Sequence, residues 1–319
     1  MVTAASLPPE LTEFAEMVAG RLLALGDSLP EPLRSPVTAL ARRPAKRLRS
    51  TLLGACARLG APDPDRVVRL GALVELLHLA SLLHDDVVDR AATRRGGPAA
   101  HTVVGQERAV LAGLACFALA GMEAAAIGGG LDQLVSRTVA GLAYGEMLDV
   151  ERAFDTALSL PDYLELAERK TGDLFRLSCL LGAAEAGATA DLTLALGQFG
   201  ADFGVAFQVL DDCLDFRADA GGKPAGTDHL MGLFGAPTLC ALAADTSGEL
   251  AELVLSPWFS EQDMPAVRAL VALRGGLAAA GRLARERYER ALTTLDGLVP
   301  PDVRRVLVAT TEIAGLGPR

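Results

Sequence analysis

Long stretches in which apolar residues recur at the spacing of an α-helix dominate this sequence and decide its fold class. The segment VVRLGALVELLHLASLLHDDVVD keeps that period over many turns. Similar stretches cover residues 8–26, 107–127, 131–150, 161–187, 190–216, 236–255 and 263–296. Glycine- or proline-bearing breaks separate them, and no series of alternating, strand-like segments appears. The sequence therefore predicts a single all-α domain over residues 1–319.

Charge and hydropathy argue against several classes of protein. A net charge of -10 argues against a nucleic-acid surface, which needs clustered excess Lys and Arg. The longest strictly apolar run, residues 109–122, is too short to cross a bilayer, so we expect no membrane span. The chain does not start with a basic and then apolar signal. Its five scattered cysteines indicate reduced thiols, and we expect a cytoplasmic protein.

Two acidic clusters with one spacing interrupt the apolar helical segments. Each cluster has aspartates at i, i+1 and i+4, namely Asp85, Asp86, Asp89, Asp211, Asp212 and Asp215. Like charges one helical turn apart repel, so a cation has to offset them. A single such cluster is often only a solvated helix face, but two in apolar sequence indicate metal binding. Oxygen donors favour Mg²⁺, and zinc is disfavoured because no Cys or His stands at ligand spacing.

Basic residues accompany the acidic clusters. Arg94 and Arg95 follow the first cluster at a Gly-Gly-Pro turn. The chain has only three lysines among its 30 basic residues, and these are Lys46, Lys170 and Lys223. Arginine and lysine both bind phosphate oxygens. Acidic clusters near basic groups predict one metal-bridged phosphate and one directly bound phosphate, and hence two phosphorylated substrates.

Taken together, these motifs resemble those of the trans-isoprenyl diphosphate synthases, also called the polyprenyl synthetase family, over residues 35–300. LLHDDVVDRAATRRGGPAAH resembles the first aspartate-rich motif of that family, and FGVAFQVLDDCLDF resembles the second. PAKRLRS resembles the basic GGKRLRP motif, and KTGDLF resembles the KTA motif. The resemblance implies an isoprenoid-synthase-type helical bundle with a central apolar cavity, a homodimer, and Mg²⁺-dependent condensation of isopentenyl diphosphate with an allylic diphosphate.

The resemblance also implies a role for each matching residue. Asp85, Asp89 and Asp211 are expected to bind Mg²⁺, three ions per site with substrate bound. The remaining acids of the clusters, Asp86, Asp212 and Asp215, are expected to support them. The residues expected to contact the allylic diphosphate are Arg94, Lys170, Thr171, Gln208 and Lys223. The residues expected to hold isopentenyl diphosphate are Lys46, Arg49, His78 and Arg95.

The chain departs from the family pattern at several positions. Where the family has Gly, Pro, Asp and a second Lys, this chain has Ala45, Ser50, Leu114 and Leu233, respectively. The alanine of the KTA motif is replaced by Gly172. The substitution at Leu233 weakens one expected diphosphate contact. Both acidic clusters are complete, so we expect an active prenyltransferase.

Small residues one turn before the first acidic cluster bear on product length. In this family, bulky aromatics at these positions stop chain growth at short products. Ala80 and Ser81 therefore predict a medium- or long-chain product, with Phe117 as a candidate for a deeper floor. The main alternative is a geranylgeranyl diphosphate synthase. A class I terpene cyclase, or a non-catalytic subunit of a heteromeric synthase, would each be expected to lack an intact acidic cluster.

Overall fold

The described residues fold into α-helices and one small β-hairpin. This computed structural model describes residues 8–216 and 227–316, with the backbone alone for Asp215 and Thr227. Sixteen α-helices and two short β-strands occur in those residues, which confirms the predicted all-α class. The chain divides into two compact units. Unit 1 contains the residues up to Ala140, Asp173–Ala201 and those from Ala291 onward, and unit 2 contains Gly141–Gly172 and Asp202–Arg290.

Unit 1 holds ten complete elements among the described residues. They are α1 (Pro9–Asp27), α2 (Arg34–Ala41), α3 (Leu48–Ala57), α4 (Pro64–Val88), β1 (Thr93–Arg94), β2 (Gly97–Pro98), α5 (Ala100–Val104), α6 (Gln106–Ile127), α9 (Asp173–Glu185) and α16 (Pro301–Ile313). Three helices have residues in both units, namely α7 (Leu131–Glu151), α10 (Ala190–Asp215) and α15 (Gly276–Thr294). The chain therefore passes from one unit to the other within helices. The single domain over residues 1–319 stays a prediction.

Helix α4 is the central helix of unit 1. It packs against α1, α3, α6 and α9, and its leucines are buried around most of its circumference. The helix begins where the Asp63 side chain accepts a hydrogen bond of 3.0 Å from the Asp65 amide, with Pro64 in the first turn. The first acidic cluster therefore lies at the end of a core helix and not on a solvated one.

The complete α-helices of unit 2 among the described residues have 4 to 10 residues, and a π-helical turn accompanies them. Its complete elements among the described residues are α8 (Leu160–Ala167), the π-helical turn Glu168–Gly172, α11 (Thr227–Leu230), α12 (Ala236–Ala244), α13 (Glu249–Val254), a 3₁₀ turn (Glu261–Asp263) and α14 (Met264–Leu273). Its core joins apolar residues of α8, α10, α12, α13, α14 and α15. The second acidic cluster lies at the C-terminal end of α10.

Three predicted helices are divided in the structure. The 161–187 stretch is α8 and α9 with the π-helical turn between them. The 236–255 stretch divides before Gly248 (φ 78°), and the 263–296 stretch divides at Gly275 (φ 72°). Gly275 follows the C-terminal end of α14, whereas Gly248 is the N-terminal cap of α13. Glycine adopts this left-handed backbone at low cost, so each interrupts the helical backbone.

Several large apolar side chains are exposed. On α6, Leu111, Leu114 and Met122 are 52%, 58% and 67% exposed, and Trp258, between α13 and α14, is 88% exposed. Two helices, α4 and α6, are long and apolar enough to cross a bilayer by length and composition. The apolar window of α4 is 67% buried within the protein and that of α6 is 39% buried. The absence of a membrane span stays a prediction.

Candidate active site

The first acidic cluster closes helix α4. Asp85 and Asp86 lie in its last turn, and Asp89 follows directly as the C-terminal cap. The Asp89 amide donates a hydrogen bond of 2.7 Å to the Asp85 carbonyl, which sets these two aspartates one turn apart. Their side chains are half-buried. Two oxygen donors at this spacing suit a hard divalent cation.

Asp86, the middle acid of this cluster, points into the protein. It is fully buried, and Arg94 Nε donates to its Oδ1 over 2.6 Å. The expected counter-charge for the cluster is therefore Arg94, at the end of β1. A buried carboxylate needs such a partner because removing either charge leaves the other unpaired.

A group of cations lies beside the histidine predicted on α4. Arg49 stacks on the ring of Phe175, with 4.5 Å from its Cζ to the ring centroid. Burial lowers the pKa of Arg49 to about 10, partly opposed by the carboxylate of Glu75. Burial, with Arg49 and Arg95 nearby, lowers the pKa of His78 well below its usual value, so its imidazole is neutral at pH 7. Unit 1 thus brings together His78, Arg49 and Arg95, and Lys46 stands exposed just before α3.

Glu75 is a site residue that sequence reasoning missed. Its Oε1 accepts from the Ser50 amide over 3.1 Å and from the Ser50 hydroxyl over 2.8 Å, and both residues are buried. This carboxylate satisfies the first turn of α3, where the capping residue Arg47 has a left-handed backbone and offers no side-chain cap. The signal in the sequence was a lone Glu inside ALVELLHL. The proline of the family motif has no amide hydrogen, so only a residue such as Ser50 makes both bonds.

The second acidic cluster uses its middle acid in the same way. Asp212 Oδ2 accepts from the Tyr163 hydroxyl over 2.6 Å and from the Ala236 amide over 2.8 Å, and Oδ1 accepts from Gln208 over 2.9 Å. Burial raises the pKa of Asp212 to about 6, although these donors lower it. Gly235 lets the carboxylate approach, because a Cβ there would lie 2.6 Å from Oδ2. Asp211 is exposed, and the side chain of Asp215 is outside the described residues.

Within unit 2, Thr171 of the KTG motif is linked to the second acidic cluster, and Lys170 pairs with acids of α7. The Thr171 hydroxyl donates to Gln208 Oε1 over 2.7 Å, and Gln208 in turn donates to Asp212. Lys170 pairs with Glu146 over 3.1 Å and also with Asp149, both on α7. Lys170 and Thr171 lie in the π-helical turn, a rare conformation that is frequent at functional sites. Sequence reasoning missed both α7 acids, for which the spacing in GEMLD gave no distinct signal.

The structure places three of the four remaining predicted residues, Ala80, Ser81 and Phe117, on α4 and α6. Ala80 is fully buried on α4, and the Ser81 hydroxyl donates back to the His78 carbonyl over 3.0 Å. Phe117 is half-buried on α6, with its ring centroid 5.6 Å from that of His84. Lys223 lies outside the described residues. The roles of these residues in product length and substrate binding stay predictions.

The donors present fit a metal that arrives with a phosphate ligand. Among the described side chains, no three carboxylate, imidazole or thiol groups are close enough together to hold a metal ion by themselves. Asp85 and Asp89 nevertheless give a one-turn pair of oxygen donors on α4, without sulfur or nitrogen. Mg²⁺ is commonly bound by one or two carboxylates, with water and substrate phosphate completing its shell. These aspartates fit such an ion.

An all-α chain with two aspartate clusters at helix ends, and with arginine and lysine in both units, defines an enzyme class that handles diphosphates. The chain belongs to the polyprenyl synthetase family, whose family model, "Polyprenyl synthetase", matches residues 30–270. Members of this family are prenyltransferases that use a divalent metal to bind diphosphates, and their substrates are isopentenyl and allylic diphosphates.

Two curated relatives match most of the chain. Component 2 of the heptaprenyl diphosphate synthase of Geobacillus stearothermophilus is 32% identical over 86% of this chain and 87% of its own length. The nonaprenyl diphosphate synthase of Mycobacterium tuberculosis is 33% identical over 84% of this chain and 81% of its own length. Both names describe medium- or long-chain products.

Two solved structures share the fold over nearly the whole chain. The polyprenyl synthase from Caulobacter crescentus, complexed with calcium and isoprenyl diphosphate, has a TM-score of 0.88 and 32% identity, covering 95% of this chain and 96% of its own. The geranylgeranyl pyrophosphate synthase from Lactobacillus brevis has a TM-score of 0.89 and 28% identity, covering 96% and 97%. The isoprenoid-synthase-type fold is thereby confirmed.

Proposed function

We propose that the chain is a trans-polyprenyl diphosphate synthase. It joins isopentenyl diphosphate head to tail to an allylic diphosphate, which lengthens the product by one five-carbon unit and releases pyrophosphate. The observation that carries this proposal is the shared construction of the two acidic clusters. In each one the middle aspartate, Asp86 or Asp212, is held by donors of its own unit. Each cluster is thus fixed at its middle aspartate by hydrogen bonds within its own unit.

Mg²⁺ is the metal we propose, with three ions per site when substrate is bound, held by Asp85, Asp89 and Asp211. Bound there, Mg²⁺ would act as a Lewis acid that stabilises the charge developing on the leaving diphosphate. The proposed function of Arg94 and Lys170 is to bind the same diphosphate. Lys170 is already oriented by its two acidic partners.

The isopentenyl diphosphate is assigned to Lys46, Arg49, His78 and Arg95. Arg49 stays charged at neutral pH, and its stacking on Phe175 limits the positions of its guanidinium. His78 is neutral, so it offers a hydrogen bond without adding to the positive charge. The apolar side chains of the core helices serve to exclude water, which would quench an allylic cation.

A medium- or long-chain product is supported by Ala80 and Ser81 and by the heptaprenyl and nonaprenyl relatives. Geranylgeranyl diphosphate is the second candidate product, and the likeness to the Lactobacillus brevis structure favours it. The name of the Geobacillus relative also favours a third possibility, a subunit of a heteromeric synthase.

We also propose a homodimer in the cytoplasm, without nucleic-acid partners and without a membrane span. The exposed leucines of α6 support the dimer, because apolar side chains grouped on one helix are stabilised when a partner covers them. The net charge of -10 supports the absence of nucleic acid.

Product analysis tests the whole proposal. Purified chain is incubated with Mg²⁺, isopentenyl diphosphate and a labelled allylic primer, and the products are separated by length. Elongation to six or more isoprene units is expected, whereas a stop at four would favour geranylgeranyl diphosphate. A hydrocarbon formed without isopentenyl diphosphate would identify a terpene cyclase, and an inactive chain that is activated by a second protein would identify a heteromeric subunit.

A further inference from the structure

The hairpin β1–β2 carries two of the proposed substrate-binding cations. It pairs Thr93 with Pro98 and Arg94 with Gly97, and Arg95 lies in the turn between the strands. Two-residue strands are too short to be stable in water by themselves. The turn also needs support because Arg95 has a left-handed backbone, with φ 49°. Contacts from outside the hairpin therefore have to hold it.

Arg43, which lies between α2 and α3, provides such a contact. Its Nη1 donates a hydrogen bond of 2.6 Å to the carbonyl of Arg94, and its Nη2 donates one of 2.9 Å to the carbonyl of Pro98. One guanidinium therefore bridges the two strands. The planar fork of arginine fits two acceptors at fixed positions, whereas the ammonium of lysine is a single point donor.

Gly97 provides the space for that guanidinium. A Cβ built on Gly97 would lie 2.9 Å from the Cζ of Arg43 and 3.1 Å from its Nη2. The backbone of Gly97 is not left-handed, so an alanine there meets no conformational penalty. The effect of a methyl group at this position would be to displace Arg43.

The consequence of this bridge reaches the first acidic cluster. Arg94 is fixed at its carbonyl by Arg43 and at its guanidinium by Asp86, over 2.6 Å. Arg43 is also among the cations near Arg95, whose pKa is lowered first by burial. Arg43 thus contacts the backbone of Arg94 and lies near the charge of Arg95.

We propose that Arg43 is a positioning residue that holds the β1–β2 hairpin so that Arg94 and Arg95 present their side chains to diphosphate. This inference rests on the proposed function. Arg43 acts through the backbone of the hairpin, so it is distinct from the residues that touch substrate. A purely electrostatic role would be met equally well by lysine.

A double-mutant cycle on the full-length chain tests the bridge. The variants are Arg43→Ala, Gly97→Ala, the two combined, and Arg43→Lys. Arg42→Ala is the matched control, because Arg42 is the neighbouring, exposed arginine and lies 3.9 Å from Asp27. The readouts are hydrogen exchange of residues 91–99, thermal unfolding, and the Kd for inorganic pyrophosphate with Mg²⁺, measured by calorimetry.

We expect Arg43→Ala and Gly97→Ala each to raise hydrogen exchange in residues 91–99 and to weaken pyrophosphate binding about tenfold. The combined variant should be no worse than Arg43→Ala, because both changes break the same bridge. Arg43→Lys should behave like Arg43→Ala, while Arg42→Ala should match the wild type. Unchanged exchange in the Arg43 variants, full retention in Arg43→Lys, or additive effects of Arg43→Ala and Gly97→Ala would each overturn the inference.

The hydrogen-exchange result separates this inference from the proposed function. A wild-type chain that forms no elongated product would end the proposed function, yet exchange in residues 91–99 would still decide whether Arg43 holds the hairpin. Conversely, an active synthase with additive effects in the cycle would refute only the role of Arg43. If Arg43→Ala does not fold, Gly97→Ala carries the test, because it keeps every charge of the chain.

Discussion

Tyr163 and Asp212 are joined by a hydrogen bond of 2.6 Å in which the phenol donates to the carboxylate. Tyr163 is buried on α8, and burial raises the pKa of its hydroxyl well above the usual value, so it remains a donor. Its partner is the middle acid of the second cluster. Tyr163 therefore helps to fix a segment of α10 on which Asp211 also lies, without being one of the predicted substrate ligands.

Replacing this tyrosine should impair turnover more than binding. We expect Tyr163→Phe to lower kcat by roughly tenfold, because a hydrogen bond to a charged group contributes about 1.5–3 kcal/mol. The KM for isopentenyl diphosphate should stay unchanged. Steady-state kinetics with each substrate varied in turn measure both constants. Tyr144→Phe, at a half-exposed tyrosine of α7, is the control. An equal loss of kcat in both variants would contradict the role assigned to Tyr163.

Removing a predicted metal ligand should stop the reaction and leave the fold intact. We expect Asp85→Ala and Asp211→Ala each to lower kcat/KM by roughly 10³-fold or more, the scale of losing metal stabilisation of leaving-group charge. The Tm should hold or rise, because each change relieves repulsion within an acidic cluster. Asp132→Ala, at an exposed aspartate of α7, is the control. Near-normal turnover in either cluster variant would exclude the metal assignment.

Product length should respond to the size of residue 80. A graded series, Ala80→Val, Ala80→Leu and Ala80→Phe, is expected to shorten the product progressively, by several isoprene units for phenylalanine. Ala80 is fully buried, so the largest substitution should also cost about 1–3 kcal/mol of unfolding free energy. Product chromatography and far-UV circular dichroism follow the two effects. Folded variants with the wild-type product length would show that Ala80 does not limit chain growth.

The buried His229 should make stability depend on pH. Burial and nearby Arg268 lower its pKa from 6.5 to about 4, partly opposed by Asp228. A depressed pKa means that the folded state favours the neutral ring. Its contribution to stability is therefore complete above pH 6.5 and is lost as the pH falls from 6.5 towards 4.

A substitution without a titrating ring isolates this effect. Relative to His229→Gln, the wild type is expected to lose up to about 1.4 kcal/mol of unfolding free energy per pH unit across that window. Urea unfolding at pH 7, 6, 5 and 4 gives the difference. Thr238→Val removes the hydroxyl 2.8 Å from His229 Nε2 but keeps the ring, so it should retain the pH dependence. A constant difference between wild type and His229→Gln would refute the assignment.

Sequence reasoning predicted the features that follow a regular spacing along the chain. The apolar period of α4 and the i, i+4 spacing of both acidic clusters follow from helical geometry, so the helices and the aspartates could be located. The contacts of Arg43 with Arg94 and of Tyr163 with Asp212 join residues 51 and 49 positions apart. The sequence around either residue of such a pair does not indicate its partner, because the two residues meet only when the helices and loops pack together. Two of the three divided helices were missed because a single left-handed glycine, Gly248 or Gly275, can interrupt a helical backbone without changing the apolar period around it.

The exposure of Trp258 has a consequence for how the protein can be observed. It is the chain's only tryptophan, and its indole lies in water in the folded protein. Its fluorescence will therefore resemble that of the unfolded chain, so emission is a poor measure of unfolding. The same property makes it a clean optical reporter for the segment between α13 and α14. A blue shift of the emission would show that another molecule has covered that segment.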